Sequence, residues 1–296
     1  MILQRASDFF EFMKKREQVR LRKEAGLSFP WVDDDILSSY KFTNVYRHYD
    51  RTSAELRRMF YNDHAHETGA EILMNCALFR YFGTYEFAEV IGWQKYEEFD
   101  FEGIKEAARQ RLALRQRVFT GAYVITNQGI SAPKQEVVVD YFLRPLWQAA
   151  PRLMNIAMNT LSWKKVATEM RLIPGFGGSG FMTKETLLDT TYTSLWGHRD
   201  EEGMSFPEDW SRWTPVGPGA RRGISRLLGN DEPKNEKEIT SFNAIMKLFE
   251  DQELLGWPGE WKSLSPHDVQ FQLCEFDKYE RVRLGQGRPR SVYRHV

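Results

Sequence analysis

The sequence predicts an all-α fold, and three observations carry the prediction. Apolar residues recur at three- and four-residue spacing through most of the chain. β-Branched runs are confined to 122–126 and 136–139, each too short or too closely flanked by helical pattern to build a sheet. Gly-, Pro-, Asp- and Glu-rich stretches at 197–219 and 229–234 fall between the periodic segments, as connections should.

Taken in order, Phe9, Phe10, Phe12, Met13, Val19 and Leu21 define a first helix, which Gly26 and Pro30 end. A second helical block runs over 36–61 and a third over 67–82. Residues 104–118 form the next, with Arg111, Arg115 and Arg117 on its polar side. The stretch 135–158 reads as long and buried, with Pro145 and Pro151 expected to kink or divide it. Helices over 162–172, 183–192, 222–228, 236–255 and 266–283 complete the chain. No repeat at solenoid spacing is present. The 296 residues are expected to form a single helical domain, 1–296, or two lobes of about 1–130 and 131–296.

Charge narrows the function. The 41 basic and 41 acidic residues cancel, so polyanion binding must come from local patches. Residues 1–22 are charged throughout and do not read as a signal peptide. No apolar run approaches the roughly 20 residues a membrane span needs. A soluble, cytoplasmic protein with no membrane partner is expected. Cys76 and Cys274 lie in apolar-periodic segments and read as core thiols of a reducing compartment. Most of the nine Trp, twelve Tyr and twenty Phe are core, leaving a remainder to stack on bases.

The most informative stretch is 273–290. An amphipathic run holding Glu275, Asp277 and Lys278 empties into a Gly-rich tail with Arg281, Arg283, Arg288, Arg290 and Arg294, and no acidic residue follows Glu280. Arginine binds phosphate oxygens bidentately and stays charged in any pocket, so this pattern suits a polyanion. A solvated basic tail is the plainer alternative.

Gly175-Phe-Gly-Gly-Ser-Gly180 matches Gly-x-Gly-x-x-Gly, but helical pattern precedes it where a dinucleotide site needs a strand. Phe181 and Met182 follow where a phosphate-binding loop needs Lys-Ser/Thr. What remains is helix, glycine turn, helix, in which Gly175 and Gly177 let backbone N–H groups approach a DNA phosphate. An ordinary interhelical turn fits equally. A second loop, 214–223, places Gly217 and Gly219 just ahead of Arg221 and Arg222 at a helix start.

Nearer the N-terminus, Trp31 and Tyr46 are stacking candidates. On a helix Asn44, Arg47 and Arg51 would share one face, Asn44 reading a base edge and Arg47 a phosphate, unless Arg47 only pairs with Asp50. Asp63-His64-Ala-His66-Glu67 has metal-ligand composition, although a cap in a solvated turn explains it more simply. No Ser/His/Asp or Cys/His set is present in motif context.

Pro30-Trp31…Asp34, 41–47 with Asp50-Arg51, 173–177, 217–223, 273–279 and 287–290 together resemble the α-glutamyl/putrescinyl thymine pyrophosphorylase family of phage-type DNA hypermodification proteins. That family is related to the helical domain of 5-hydroxymethyluracil DNA kinases. The resemblance spans nearly the whole chain. It implies a helix-hairpin-helix, DNA-glycosylase-like helical assembly acting on double-stranded DNA that contains modified thymine. The implied reaction displaces pyrophosphate from 5-pyrophosphoryloxymethyluracil with an amine, either an amino acid or a polyamine.

The expected roles follow. Arg221, Arg222, Arg281, Arg283, Arg288 and Arg290 neutralise phosphate. Trp31, Tyr46 and Tyr279 stack on an extruded base. Glu275 or Asp277 deprotonates the amine, or ligates Mg2+ if a cation shares the work, and Lys278 orients the phosphate. Two other readings stay open. One is a non-catalytic DNA-binding helical module partnering a 5-hydroxymethyluracil DNA kinase. The other is a glycosylase-like enzyme, disfavoured because 215–218 reads Pro-Val-Gly-Pro where a glycosylase presents its aspartate, with Asp189 as a conceivable substitute.

Overall fold

The computed structural model describes residues 3–289 and 291–293. Its elements are α1 (Ala6–Glu24), α2 (Asp35–Ser39), a 3-10 turn Arg47–Tyr49, and α3 (Arg51–Leu56) running into a π-helical stretch, Arg57–Tyr61. Then come α4 (Gly69–Phe82), α5 (Tyr85–Ile91), α6 (Phe101–Ala113), and α7 (Lys134–Glu136), which passes through π-helical Val137–Leu143 into α8 (Arg144–Thr160). The series ends with α9 (Trp163–Met170), α10 (Phe181–Thr190), α11 (Pro218–Leu227), α12 (Glu238–Glu250) and α13 (Pro266–Arg283). Among the described residues there is no strand, only one isolated antiparallel bridge between Tyr40 and Val292. The fold is all-α.

Two compact units divide the chain. One is built from both ends, 1–50 with 211–296, and the other from 51–210. In the first, α1 turns Phe9, Phe10, Phe12 and Met13 into a core with Ala220, Ile224 and Leu227 of α11 and Leu273 and Phe276 of α13. Phe276 meets Phe9 and Phe12 edge-on at 5.5 and 5.6 Å. Each such fully buried ring contributes about 1.5–3 kcal/mol through burial. A capping box starts α13: the Ser265 hydroxyl accepts from the Asp268 N–H while the Asp268 carboxylate accepts from the Ser265 N–H.

In the second unit α4 is buried all round, from Glu71 to Phe82, as its nearly unbroken apolar run demands. Thr68 caps its start, and Gly83 in the left-handed region (φ +67°) ends it. Pro151 stands inside α8, so the Trp147 carbonyl has no N–H one turn ahead to accept from. The Tyr96 hydroxyl donates to that carbonyl at 2.7 Å, the Trp147 indole returns a bond to Tyr96 O at 2.9 Å, and the rings stack at 5.5 Å. This local repair lets α8 continue through a proline expected to kink or divide it. Pro145 stands directly after the π-helical stretch, whose last bond runs from the Arg144 N–H to Val139 O, so the widened turn ends where the proline removes an N–H.

The expected continuous helix over 36–61 is not formed. It is interrupted from 40 to 46 and resumes as the turn at Arg47, so Asn44, Arg47 and Arg51 do not share a helical face. The competing bonds are visible: the Asn44 N–H donates to Asp50 at 2.9 Å, and the Asn44 amide donates to Tyr49 O at 2.8 Å. Side-chain acceptors so placed replace the helical ladder.

Candidate functional site

The site starts from a close helix crossing in the first unit. Gly219 and Gly223 lie one turn apart on α11, and both face α13. A Cβ on Gly223 would stand 2.4 Å from Leu273 O, and one on Gly219 would stand 2.7 Å from Cys274 Sγ. Gly219 is therefore a helix-packing residue within α11, not a loop donor as its position beside Arg221 and Arg222 suggests. Gly217, the residue before the helix, does remain open.

This approach brings the cations of α11 onto the carboxylates of α13. Asp277 is 1% exposed. It accepts from Arg222 at 3.0 Å and from the wholly buried Arg226 at 3.3 Å, with Arg281 at 3.8 Å. Arg226 also donates to Gln286 at 2.7 Å and to the Asp231 carbonyl, tying the turn after α13 to the loop after α11. One turn along, Glu280 is equally enclosed and accepts from Arg5 and, at 2.8 Å, from Arg283. Burial works against its charge, but the bonds from Arg283 and Arg5 prevail and hold its carboxyl below the usual carboxylate range. Two buried carboxylates thus anchor five guanidinium groups. Those of Arg222, Arg281 and Arg283 keep 36, 46 and 42% of their side-chain surface open. The arrangement presents net positive, pre-oriented forks, suited to a phosphate. Arg288 is exposed beyond it. Arg290 lies outside the described residues.

The remaining residues expected to act are placed differently. Glu275 Oε2 accepts the Thr43 N–H at 3.0 Å and pairs with Lys278 at 2.5 Å. Lys278 also lies 4.6 Å over the Phe42 ring. Arg221 is turned away from the forks and donates to the Glu236 carbonyl. Tyr46 is buried and donates to the Lys262 carbonyl, so it offers no free ring face. Arg47 pairs with Asp50 at 3.0 Å and stacks over Phe271 at 4.3 Å.

Tyr279 donates to Asp34 at 3.0 Å, and burial together with the Asp34 charge pushes its phenol well above the ordinary value. Asp34 in turn belongs to a cleft of about 480 Å³ with Asp33, Asp35, Ser38, Pro30 and Arg22 on its walls. Trp31 meets Phe29 and Tyr293 edge-on, each at 5.3 Å, with the Lys23 ammonium 5.2 Å above it.

In the second unit, Gly175 (φ +88°) is a glycine for two reasons. Its backbone is left-handed, and a Cβ would strike the Tyr81 hydroxyl and the Phe142 ring at 2.4 and 2.5 Å. A Cβ on Gly177 would press on Arg171 O at 2.8 Å. Asp189 is fully buried, held bidentately by Arg80 at 2.7 and 2.5 Å and by the Tyr61 hydroxyl at 3.0 Å. In this position Asp189 serves the core as the partner of Arg80 and Tyr61. His64 stacks on Trp93 and meets Glu67 at 3.4 Å, while His66 meets the Ser194 hydroxyl at 2.9 Å.

Among the described residues, no three His, Cys, Asp or Glu side chains are arranged to hold a metal. Asp277, ringed by guanidinium groups, does not fit Mg2+, because those cations would repel it. Arg5, Arg226 and Glu280 were not singled out by sequence reasoning. The signal was there in the four-residue spacing of Arg222 and Arg226 and the three-residue spacing of Asp277 and Glu280, which marks facing helical stripes.

The chain belongs to the family described as 5-hmdU DNA kinase, helical domain, whose model matches residues 4–288. It is 26% identical over 295 residues to a 5-hmdU DNA kinase of Bacillus phage SP10, a match covering 92% of this chain and 44% of that protein. The chain thus spans less than half the length of this relative. No solved structure matches it. No helix among the described residues is long and apolar enough to cross a membrane.

Proposed function

We propose that this protein is a DNA base-hypermodification transferase: it displaces pyrophosphate from 5-pyrophosphoryloxymethyluracil in DNA with an amine. The observation that supports this is the set of half-open guanidinium groups of Arg222, Arg281 and Arg283, fixed from beneath by Asp277 and Glu280. Charge accumulates on the departing pyrophosphate as the C–O bond breaks, and donors already in place stabilise it without reorganising. The amine forms the C–N bond and loses a proton to a carboxylate. Glu275 suits that role better than Asp277. Its Oε2 is occupied by Thr43 and Lys278, whereas Asp277 is engaged on both oxygens. Balance is complete: the amine and the pyrophosphorylated base give the aminomethyl base, pyrophosphate and a proton.

A second reading has its own support. The SP10 relative carries more than half its length outside the matched region, so this helical part is compatible with a DNA-binding module that works beside a kinase. One experiment separates the two. A duplex carrying 5-pyrophosphoryloxymethyluracil is incubated with the protein, magnesium, amino acids and polyamines, then digested to nucleosides for mass spectrometry. An amine-bearing thymidine with released pyrophosphate supports the transferase and identifies its amine. Unaltered nucleosides with measurable duplex binding favour the module, and a free base would point to a glycosylase.

A further inference from the structure

We infer that the second unit carries its own contact surface for duplex DNA, formed by the end of α6 and the long loop that follows it. The inference rests on the reading of DNA as substrate and adds a surface separate from the arginine site.

Charge is the first support. Residues 107–135 contain Arg109, Arg111, Arg115, Arg117 and Lys134 and no Asp or Glu, in a chain whose charges otherwise balance. Residues 112–117 are all exposed, so Arg115 and Arg117 project outward. Arg109 is paired with Glu106 at 2.7 Å and faces Glu136 at 3.6 Å, but the outward-projecting Arg115 and Arg117 fit a phosphate backbone.

Anchoring is the second. Twenty residues separate α6 from α7, longer than an incidental connection. The loop is nonetheless tied down at several points. The Thr120 N–H donates to Phe82 O at 2.8 Å, Phe119 stacks on Phe82 at 5.2 Å, and the Tyr123 hydroxyl donates to Arg80 O. Val118 and Ile125 are buried. Tyr123 also meets Phe181, the first residue of α10, at 5.0 Å.

What these anchors hold outward is apolar. Leu114, next to Arg115, is 70% exposed, and Val124, seven residues on from Arg117 in the anchored loop, is 77% exposed. Large apolar side chains fixed in the open beside arginines suit DNA better than solvent. The cations engage phosphates, and an apolar side chain such as Val124 presses against base or sugar in the groove. An acidic protein surface would satisfy the arginines but gives the projecting valine no groove to enter.

The test measures binding of the full chain to a fluorescein-labelled 20-base-pair duplex by anisotropy across a salt series. The double variant R115S/R117S is compared with R58S/K247S, which removes two exposed cations elsewhere. R115S/R117S is expected to bind about tenfold more weakly, with a log K against log salt slope shallower by about 2, since each phosphate contact contributes roughly 0.9. Val124→Ser should weaken binding and leave the slope unchanged. Affinity and slope equal to the control in R115S/R117S would overturn the surface while leaving the arginine site standing. A wild-type chain that binds no duplex would overturn both readings. Equal, loop-dependent binding to heparin would overturn the assignment to DNA.

Discussion

Arg222 Nε donates to Asp277 Oδ2 at 3.0 Å, joining α11 to α13 through one buried carboxylate that two further arginines share. Removing it is more consequential than removing any one arginine. Asp277→Asn leaves the wholly buried Arg226 without its counter-charge, and breaking a buried pair in this way costs about 3–5 kcal/mol. Urea unfolding should show the loss. Arg281→Ala, at a half-open side chain, should leave the midpoint nearly unchanged and weaken binding of a pyrophosphorylated duplex.

Glu280 predicts an acid-sensitive fold. Its carboxyl titrates below the ordinary carboxylate value because Arg283 and Arg5 outweigh the effect of burial. A depressed carboxylate stabilises the folded state above the unfolded pKa, about 4.3, and that contribution fades as pH falls through the lower folded value. The wild-type urea midpoint should therefore drop below about pH 4.3. Glu280→Gln, less stable at pH 7, should show a smaller drop over the same window. Parallel curves would assign the acid sensitivity to other carboxylates.

Gly223 sets how closely α11 and α13 approach. A methyl there meets Leu273 O, a backbone atom that cannot swing aside. Gly223→Ala should cost about 1–3 kcal/mol or more by overpacking. Gly259→Ala, where a Cβ meets nothing within 4 Å, should be neutral by thermal melting.

Helix identity was legible in the sequence because a 3.6-residue apolar period survives whatever the helices pack against. The expected helix over 266–283 matches α13 at both ends, where a capping box and an arginine-rich last turn mark the limits. The interruption at 40–46 was not legible. It depends on Glu275, Gln272 and Asp50 bonding the backbone of Thr43 and Asn44, and two of those partners lie more than 200 residues away. The site was read in part for the same reason. The arginines announce themselves by composition, and the helical spacings of Arg222 with Arg226 and of Asp277 with Glu280 hint at facing stripes, but a lone sequence does not say that those two stripes meet or that Arg221 faces away.

The Tyr96 hydroxyl compensates for Pro151, and a double-mutant cycle can isolate that. Tyr96→Phe leaves the Trp147 carbonyl without its donor and should cost about 1–3 kcal/mol. In a Pro151→Ala background the new N–H can take the same carbonyl, so the cost of Tyr96→Phe should shrink. Equal costs in both backgrounds, read by urea unfolding, would separate the two residues.

Glu275 is the sharpest test of the chemistry. Its Oε2 holds the Thr43 N–H and Lys278, and a glutamine keeps an acceptor oxygen for the backbone bond while losing the proton affinity of a carboxylate. Glu275→Gln should therefore reduce transfer to an amine by a hundredfold or more, on the order of a lost general base. Duplex affinity should be unchanged. Raising the pH supplies more unprotonated amine from solution, so the variant should recover activity with pH more steeply than wild type. Unchanged turnover in the variant would take Glu275 out of the reaction. Parallel losses of turnover and duplex binding would show that its bond to Thr43 is what matters, by fixing the loop, and that the proton is accepted elsewhere.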